Sequence, residues 1–517
     1  MKSNIFYLGW LVFAILLQAT LMWLAGDVYI TGHESDVLHS LQGAILLLES
    51  ELPHLDFATP LGVLTFAPIA VLLGLGFGHG AAMAYSGVLL AVVFLPALYW
   101  VGVTRLSAPV RLVWSAVIIL LFTASVFGST DTFNSFSMHY NRWSWAIAFI
   151  LLTAVTFPNL KSDRELLDGP IVGVCLSFLA LTKITFFVAL APVVLIALVA
   201  RSQWRTIGIS ALVGFVAILV VTIWAGGTSY WFALLDDLNM ATSAGFTIRA
   251  GGWAQYVSRP DITFALIAML VGAVLLSRAG ETISSVVALA LTPAFLFITY
   301  YNWGFEPKFL LFLALMMWVS KGNFHTVSIG YSMAMIAFLG PVLVNLAISN
   351  LRPVAFQRDN FHSVFQEETN GALLFNRDRS YIRSVTVSEQ GKIDVIEFRN
   401  SKMVELNDCA IVSGSWGQSE AIMESLTDLD LNDGSQLLVA DAFSDYWMFG
   451  NYGRLENGAI WQYGGAQGFE NAEIVVVPDC AAKTHVRKAI LTNLAGAGYG
   501  LDLIEKTDVA AIYRIVK

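Results

Sequence analysis

Charge is what this 517-residue chain has least of. Only 13% of its residues are Asp, Glu, Lys or Arg, against 56% hydrophobic residues and 34 phenylalanines. So little polar surface cannot cover a water-soluble globule, and the natural solvent for most of the chain is a bilayer. Cysteine is scarce too, and three residues exclude a disulfide scaffold. Cys175 lies in an apolar run and reads as inert core. Cys409 and Cys480 fall in a polar C-terminal part, where one bridge is open to them in an oxidising compartment. No internal repeat and no low-complexity linker is visible, which weighs against a transporter built from repeated halves. No spacing among His33, Glu34, Asp36, His39 and His54 matches a recognised zinc motif, so the expected cofactor is none, a divalent metal there being the alternative.

What the chain does have is apolar runs of about 17–22 residues, recurring from Ile5 to Ser349. About 20 such residues cross the roughly 30 Å of hydrocarbon in a bilayer. The spans predicted are 5–26, 79–101, 108–127, 143–158, 169–182, 184–200, 206–226, 261–277, 282–300, 308–320 and 326–349. The first follows Lys2; a signal peptide is the other reading, but the run is long and the chain stays hydrophobic after it. Residues 60–76 are apolar but short, with Pro60, Pro68 and a glycine-rich end, so length alone does not say whether they cross. Charge decides. If they do not cross, nine of the fourteen cations before residue 351 lie inside and five outside; if they do, the split is six to eight. The positive-inside rule prefers the first arrangement. The expected fold is therefore a polytopic α-helical membrane protein of about eleven transmembrane helices, with a cytoplasmic N-terminus and an interfacial helix at 60–76.

Two regions follow from this. Residues 1–350 form the transmembrane domain with an outer loop at 27–59, and residues 351–517 form a soluble, extracytoplasmic (periplasmic) α/β domain. Strand-like runs at Lys392–Phe398, Gln436–Ala440, Glu473–Pro478 and Val509–Val516, with a helix over Lys483–Ala495, suggest a small layered sheet. This region carries nearly all of the net charge of −9, which argues against nucleic acid or anionic lipid headgroups as its partner. The outer loop holds no Lys or Arg but has Asp27, Glu34, Asp36, Glu49, Glu51 and Asp56. Opposite it, the outer cations are Arg142, Lys183, Arg249, Arg259 and Lys308. Acids facing a few isolated cations at one membrane face suit an anionic substrate.

The outer loop reads Asp36-Val-Leu-His39, an apolar run at Ala44–Leu48, then Glu51-Leu-Pro-His54-Leu-Asp56-Phe57 and Pro60-Leu-Gly62. Later come His139-Tyr140-Asn141-Arg142-Trp143 at the head of a span and Lys183-Ile-Thr-Phe-Phe. Together these resemble the GT-C superfamily of integral-membrane glycosyltransferases, including the protein O-mannosyltransferases and the transferase that adds aminoarabinose to lipid A. The resemblance implies a polyprenyl-phosphate-linked sugar donor, an envelope glycan, lipid or protein acceptor, a bacterial plasma membrane, and inversion at the anomeric carbon. It also implies a catalytic acid about 20 residues before the Asp-Phe pair, which falls on Asp36. The sequence departs from the family in having Val37 after Asp36, where an acid is common, and Ser50 in place of a glycine.

Physical chemistry assigns the same parts. Sugar transfer from a lipid phosphate needs a base for the acceptor hydroxyl and cations for the departing phosphate. Asp36 is the candidate base, with a helix N-cap as its alternative role; Glu34 is the substitute base. Asp56 either orients the acceptor or stabilises a turn. Arg142, Lys183, Arg249 and Lys308 are candidate substrate contacts, the cations at span ends being equally placed to snorkel to headgroups; the resemblance adds His139 and Tyr140 to them. Tail aromatics, Trp461 and Tyr463 among them, either stack on sugars or pack a core. The competing functions are an envelope-lipid transporter or flippase and a non-catalytic scaffold.

Overall fold

The computed structural model describes residues 2–160, 165–243, 252–302, 307–320, 325–365, 371–387, 394–427, 429, 434–450 and 452–517. It is mostly helical with a C-terminal sheet region. Helix α1 (Lys2–Ala25) leads into a short strand β1 (Val28–Ile30) and helix α2 (Glu34–Leu48), followed by α3 (Ala67–Gly74). At 1.5 Å per residue, the eight residues of α3 reach only about 12 Å, too short to cross hydrocarbon alone.

The next helices are α4 (His79–Val93), α5 (Leu95–Arg105), α6 (Ala108–Thr123), α7 (His139–Thr156), α8 (Glu165–Thr182), α9 (Ile184–Ala200) and α10 (Trp204–Trp224). Then come α11 (Ser229–Ser243), α12 (Gly252–Val257), α13 (Pro260–Arg278), α14 (Thr282–Tyr301), α15 (Leu310–Val319), α16 (His325–Phe338) and α17 (Gly340–Ile348). Proline marks two bends. Pro96 opens α5 at an angle of 47° to α4, and Pro341 opens α17 at 58° to α16, because a proline near a helix start removes the amide that would continue the preceding helix.

Among the described residues, four helices (α1, α10, α13 and α14) are long and apolar enough to cross a membrane, or six if each bent pair is one span. Eleven spans are therefore not reached on length and composition. The reason is visible in α7. It opens on His139, Asn141 and Arg142, and all of its side chains are buried, so its polar residues face protein rather than lipid. Other helices are apolar but short, such as α6 and α9.

The tail adds β2 (Phe361–Ser363), β3 (Leu373–Asn376), β4 (Arg383–Thr386), β5 (Asp394–Glu397), β6 (Met403–Leu406), β7 (Cys409–Ser413), α18 (Ser415–Thr427), β8 (Leu437–Val439), β9 (Ile474–Pro478), α19 (Thr484–Gly496), β10 (Gly500–Lys506) and β11 (Ala510–Val516). Its main sheet runs β10-β11-β9-β8, with β8 and β9 parallel and the other pairs antiparallel. Strand β9 is buried along its whole length, as expected of an unbroken Ile-Val-Val-Val run in a central position. The predicted strands at 436–440, 473–478 and 509–516 and the helix at 483–495 coincide with β8, β9, β11 and α19. Cys409 and Cys480 form a disulfide across 71 residues.

One join matters for the site. Strand β1, from the outer loop, pairs in parallel with β3, setting Val28 opposite Leu373 and Ile30 opposite Phe375. Beneath it, Val37, Leu41, Phe57, Phe66 and Ile69 from the loop and α3 share one buried cluster with Leu373, Trp416 and Ile460 from the tail. Helix α2 is thus clamped from both sides, which fixes the acids at its start.

Candidate functional site

Helix α2 begins at Glu34, after His33 in a left-handed conformation (φ 59°) that offers no side-chain cap. Asp36 is the third helical residue, so it is not the N-cap. Its carboxylate instead turns toward the chain before α7, where Ser137 Oγ donates to Asp36 Oδ2 at 2.7 Å. Burial raises the Asp36 pKa above the usual carboxylate value, with Glu34 adding to the shift, while the Ser137 hydrogen bond, His33 and Lys483 oppose it. A carboxylate raised in this way holds a proton more readily and is the better base.

Glu34 is committed elsewhere. It is almost fully buried, and Arg379 donates to it from Nε and Nη2 at 3.1–3.2 Å. Asp56 accepts the Leu52 amide at 2.7 Å and so closes a local turn. Arg249 lies outside the described residues.

Lys183 occupies the break between α8 and α9, and its Nζ sits 5.3 Å from the centre of the Tyr140 ring, a cation–π distance. His39 lies within reach of both Lys183 and His139. Burial, reinforced by these two, pushes its pKa down to about 3, so the ring is neutral. Its Nε2 finds no hydrogen-bond partner among the described residues. From the tail, Trp461 packs edge-on to His39 at 5.1 Å. The Tyr463 phenol is pushed up by burial and then by the carboxylates of Asp36 and Asp237. Residues distant in sequence thus bear on the Asp36 carboxylate, namely Ser137, Tyr140, Tyr463 and Lys483, and Tyr140 in turn carries Lys183 on its ring.

Arg142 and Lys308 lie on either side of Gly128. Both are buried, at 1% and 4% exposure, and both line one cavity with Asn141, Thr299 and Asn302. Gly128 (φ 93°) lets the chain pass between them, since a Cβ there would lie 3.0 Å from Arg142 Cδ and 3.4 Å from Lys308 Cε. Arg142 Nη1 donates to the Leu121 carbonyl at 3.1 Å, while its Nε has no partner and no described carboxylate pairs with it. A buried guanidinium without a counter-ion is costly unless an anion arrives.

An apolar groove of about 530 Å³ runs between α8, α9 and α10, from Leu198 and Ile207 at one end to Leu181 and Ile184 at the other. Those last two residues flank Lys183. Sequence reasoning missed Ser137, Asp237 and Lys483, because each acts through a contact made more than 100 positions away and none carries a motif. Among the described residues, no group of three His, Cys, Asp or Glu side chains is arranged to hold a metal ion.

No family model matches the chain, and no curated protein matches it significantly. Among solved structures, the cryo-EM structure of the arabinofuranosyltransferase AftD from Mycobacteria aligns with 98% of this chain at 12% identity and a TM-score of 0.25. The chain spans 40% of that structure's length. A likeness at this level fixes neither fold nor function.

Proposed function

We propose that the chain is an integral-membrane glycosyltransferase that moves a sugar from a polyprenyl-phosphate donor to a cell-envelope acceptor at the outer face of the plasma membrane. The N-terminus is then cytoplasmic and the tail extracytoplasmic. The observation that carries this reading is the juxtaposition at Lys183: between two residues that line the end of a long apolar groove, its ammonium lies over the ring of Tyr140, whose phenol lies in the field of the buried Asp36 carboxylate. An isoprenoid tail suits the groove, a phosphate suits Lys183, and the sugar then lies toward Asp36. Asp36 takes the proton of the acceptor hydroxyl as its oxygen attacks the anomeric carbon. The bond from that carbon to the phosphate oxygen breaks on the opposite face, which inverts the configuration. Lys183, with Arg142 and Lys308, neutralises the charge left on the phosphate. In a water-poor site each such contact contributes a few kcal/mol to the transition state.

Mass spectrometry of envelope glycans in a deletion strain tests the reading. Loss of one defined sugar, restored by the wild-type gene and not by Asp36→Asn, is the expected result. Unchanged glycans, or restoration by Asp36→Asn, would overturn it.

A further inference from the structure

A second cavity opens on the tail side of the molecule, and it has different chemistry. It measures about 410 Å³, within the roughly 300–1,000 Å³ of small-ligand sites. One wall is α11, which presents Asp236 and Asn239. The other is α19, with His485 and Asn493, and the loop at Tyr463 and Gly464 joins them.

Both walls are tied down by hydrogen bonds, buried at α11 and exposed at α19. Asp237, next to Asp236 on α11, accepts His54 Nδ1 at 2.8 Å and the Thr59 amide at 3.0 Å. That ties α11 to the Leu-Pro-His segment of the outer loop. Across the groove, Asn493 Nδ2 donates to the Gly464 carbonyl at 2.9 Å. Gly464 itself has φ +89°, a conformation that disfavours any side chain. The lining carries a carboxylate, two amides, a phenol and an imidazole, and neither Lys nor Arg. Mixed neutral donors and acceptors beside one carboxylate suit a polyhydroxylated ligand and repel an anionic one. Tyr463 connects the groove with the catalytic candidate, because it lines the cavity and Trp461, two residues before it, packs 5.1 Å from His39 on α2, the helix that carries Asp36.

We propose that this groove binds the neutral sugar rings of a glycan acceptor and presents one hydroxyl toward Asp36 past Tyr463. The proposal rests on the glycosyltransferase reading and narrows its three acceptor classes to one.

Ligand-detected NMR on the full-length protein in nanodiscs tests it, with neutral tetrasaccharides of mannose, galactose, glucose and arabinose as probes and a tetrasaccharide of galacturonic acid as the charged comparison. Asn239→Trp fills the groove from an exposed helical position, where folding is not at stake. At least one neutral probe is expected to bind wild type and Asp36→Asn alike, and Asn239→Trp at least tenfold more weakly. The charged probe should bind at least tenfold more weakly than its neutral counterpart, with Asp236→Asn narrowing that gap. Binding by none of the neutral probes, or equal binding by wild type and Asn239→Trp, overturns the proposal. The two readings fail separately. Unchanged glycans in the deletion strain, with binding still lost in Asn239→Trp, would remove the transferase and leave the groove. Normal transfer and binding by Asn239→Trp, with transfer lost in Asp36→Asn, would remove the groove and leave the transferase.

Discussion

Ser137 Oγ donates to Asp36 Oδ2 at 2.7 Å, across 101 positions of chain. The bond stabilises the charged carboxylate that burial disfavours, so Ser137 governs how basic Asp36 is. Asp36→Asn keeps the shape and an acceptor for Ser137 but is not basic, and transfer should fall about 10²–10⁴-fold at unchanged protein level. Ser137→Ala should instead move the pH profile. Without its hydrogen bond the Asp36 pKa rises further, the carboxylate protonates at higher pH, and activity is lost earlier on acidification. A pH–rate profile of Ser137→Ala with the same acidic limb as wild type would break the link between the two residues.

The cations make a second prediction. Arg142→Ala and Lys183→Ala should each reduce use of a lipid-phosphate donor by roughly 10–1000-fold, about 1.4–4 kcal/mol. Arg205, exposed at the start of α10, is the control and should change nothing. Arg105 is no control, although the positive-inside rule places it on the same side as Arg205. It is buried against Asp168, Nη2 to Oδ2 at 2.5 Å, with Trp100 Nε1 on the other carboxylate oxygen at 2.8 Å. Arg105→Ala would strand that carboxylate and destabilise the protein by about 3–5 kcal/mol. Equal losses of transfer at Arg142, Lys183 and Arg205 would point to insertion rather than to the donor.

How much of this was legible in the sequence depends on the range of the contact. Helix boundaries in the apolar part follow from local hydropathy, and α19, β8, β9 and β11 follow from periodicity, because each signal lies within the element itself. The short strands β1 and β3 do not, since three residues carry no pattern until they pair across some 345 positions. The candidate site divides in the same way. Asp36 and Lys183 stand out as charges in apolar surroundings. Ser137, one serine among several before α7, gains a role only when the fold turns it toward Asp36. By chemistry alone Glu34 and Asp36 look interchangeable in sequence; in the fold Arg379 takes Glu34 and Ser137 takes Asp36.

The disulfide makes a third prediction. Closing a 71-residue loop between Cys409 and Cys480 should stabilise the tail by roughly 3–5 kcal/mol. Cys409→Ser and Cys480→Ser should lower the melting temperature by similar amounts, and the double variant by no more than either. Thiol labelling of unreduced, denatured protein should reach Cys175 alone. Labelling of all three cysteines would remove the bridge.

The last prediction concerns Glu34 and Arg379. They form an ion pair at 3.1 Å in which the carboxylate side chain is 3% exposed and the guanidinium 24%. Removing one member of a buried pair leaves the other uncompensated, at about 3–5 kcal/mol, whereas removing both together is often nearly neutral. Arg379→Gln alone should therefore lower stability and transfer together, because the start of α2, where Asp36 sits, loses its anchor. Glu34→Gln alone should be milder, since Arg379 is partly solvated and regains water. The double variant Glu34→Gln/Arg379→Gln should recover most of the melting temperature, and transfer should return with it if Glu34 only anchors the helix. As a base, Glu34 would behave differently: the double variant would be stable yet inactive. Measuring melting temperature and turnover on the same four proteins separates the two roles, and a stable, inactive double variant would shift the catalytic assignment from Asp36 to Glu34.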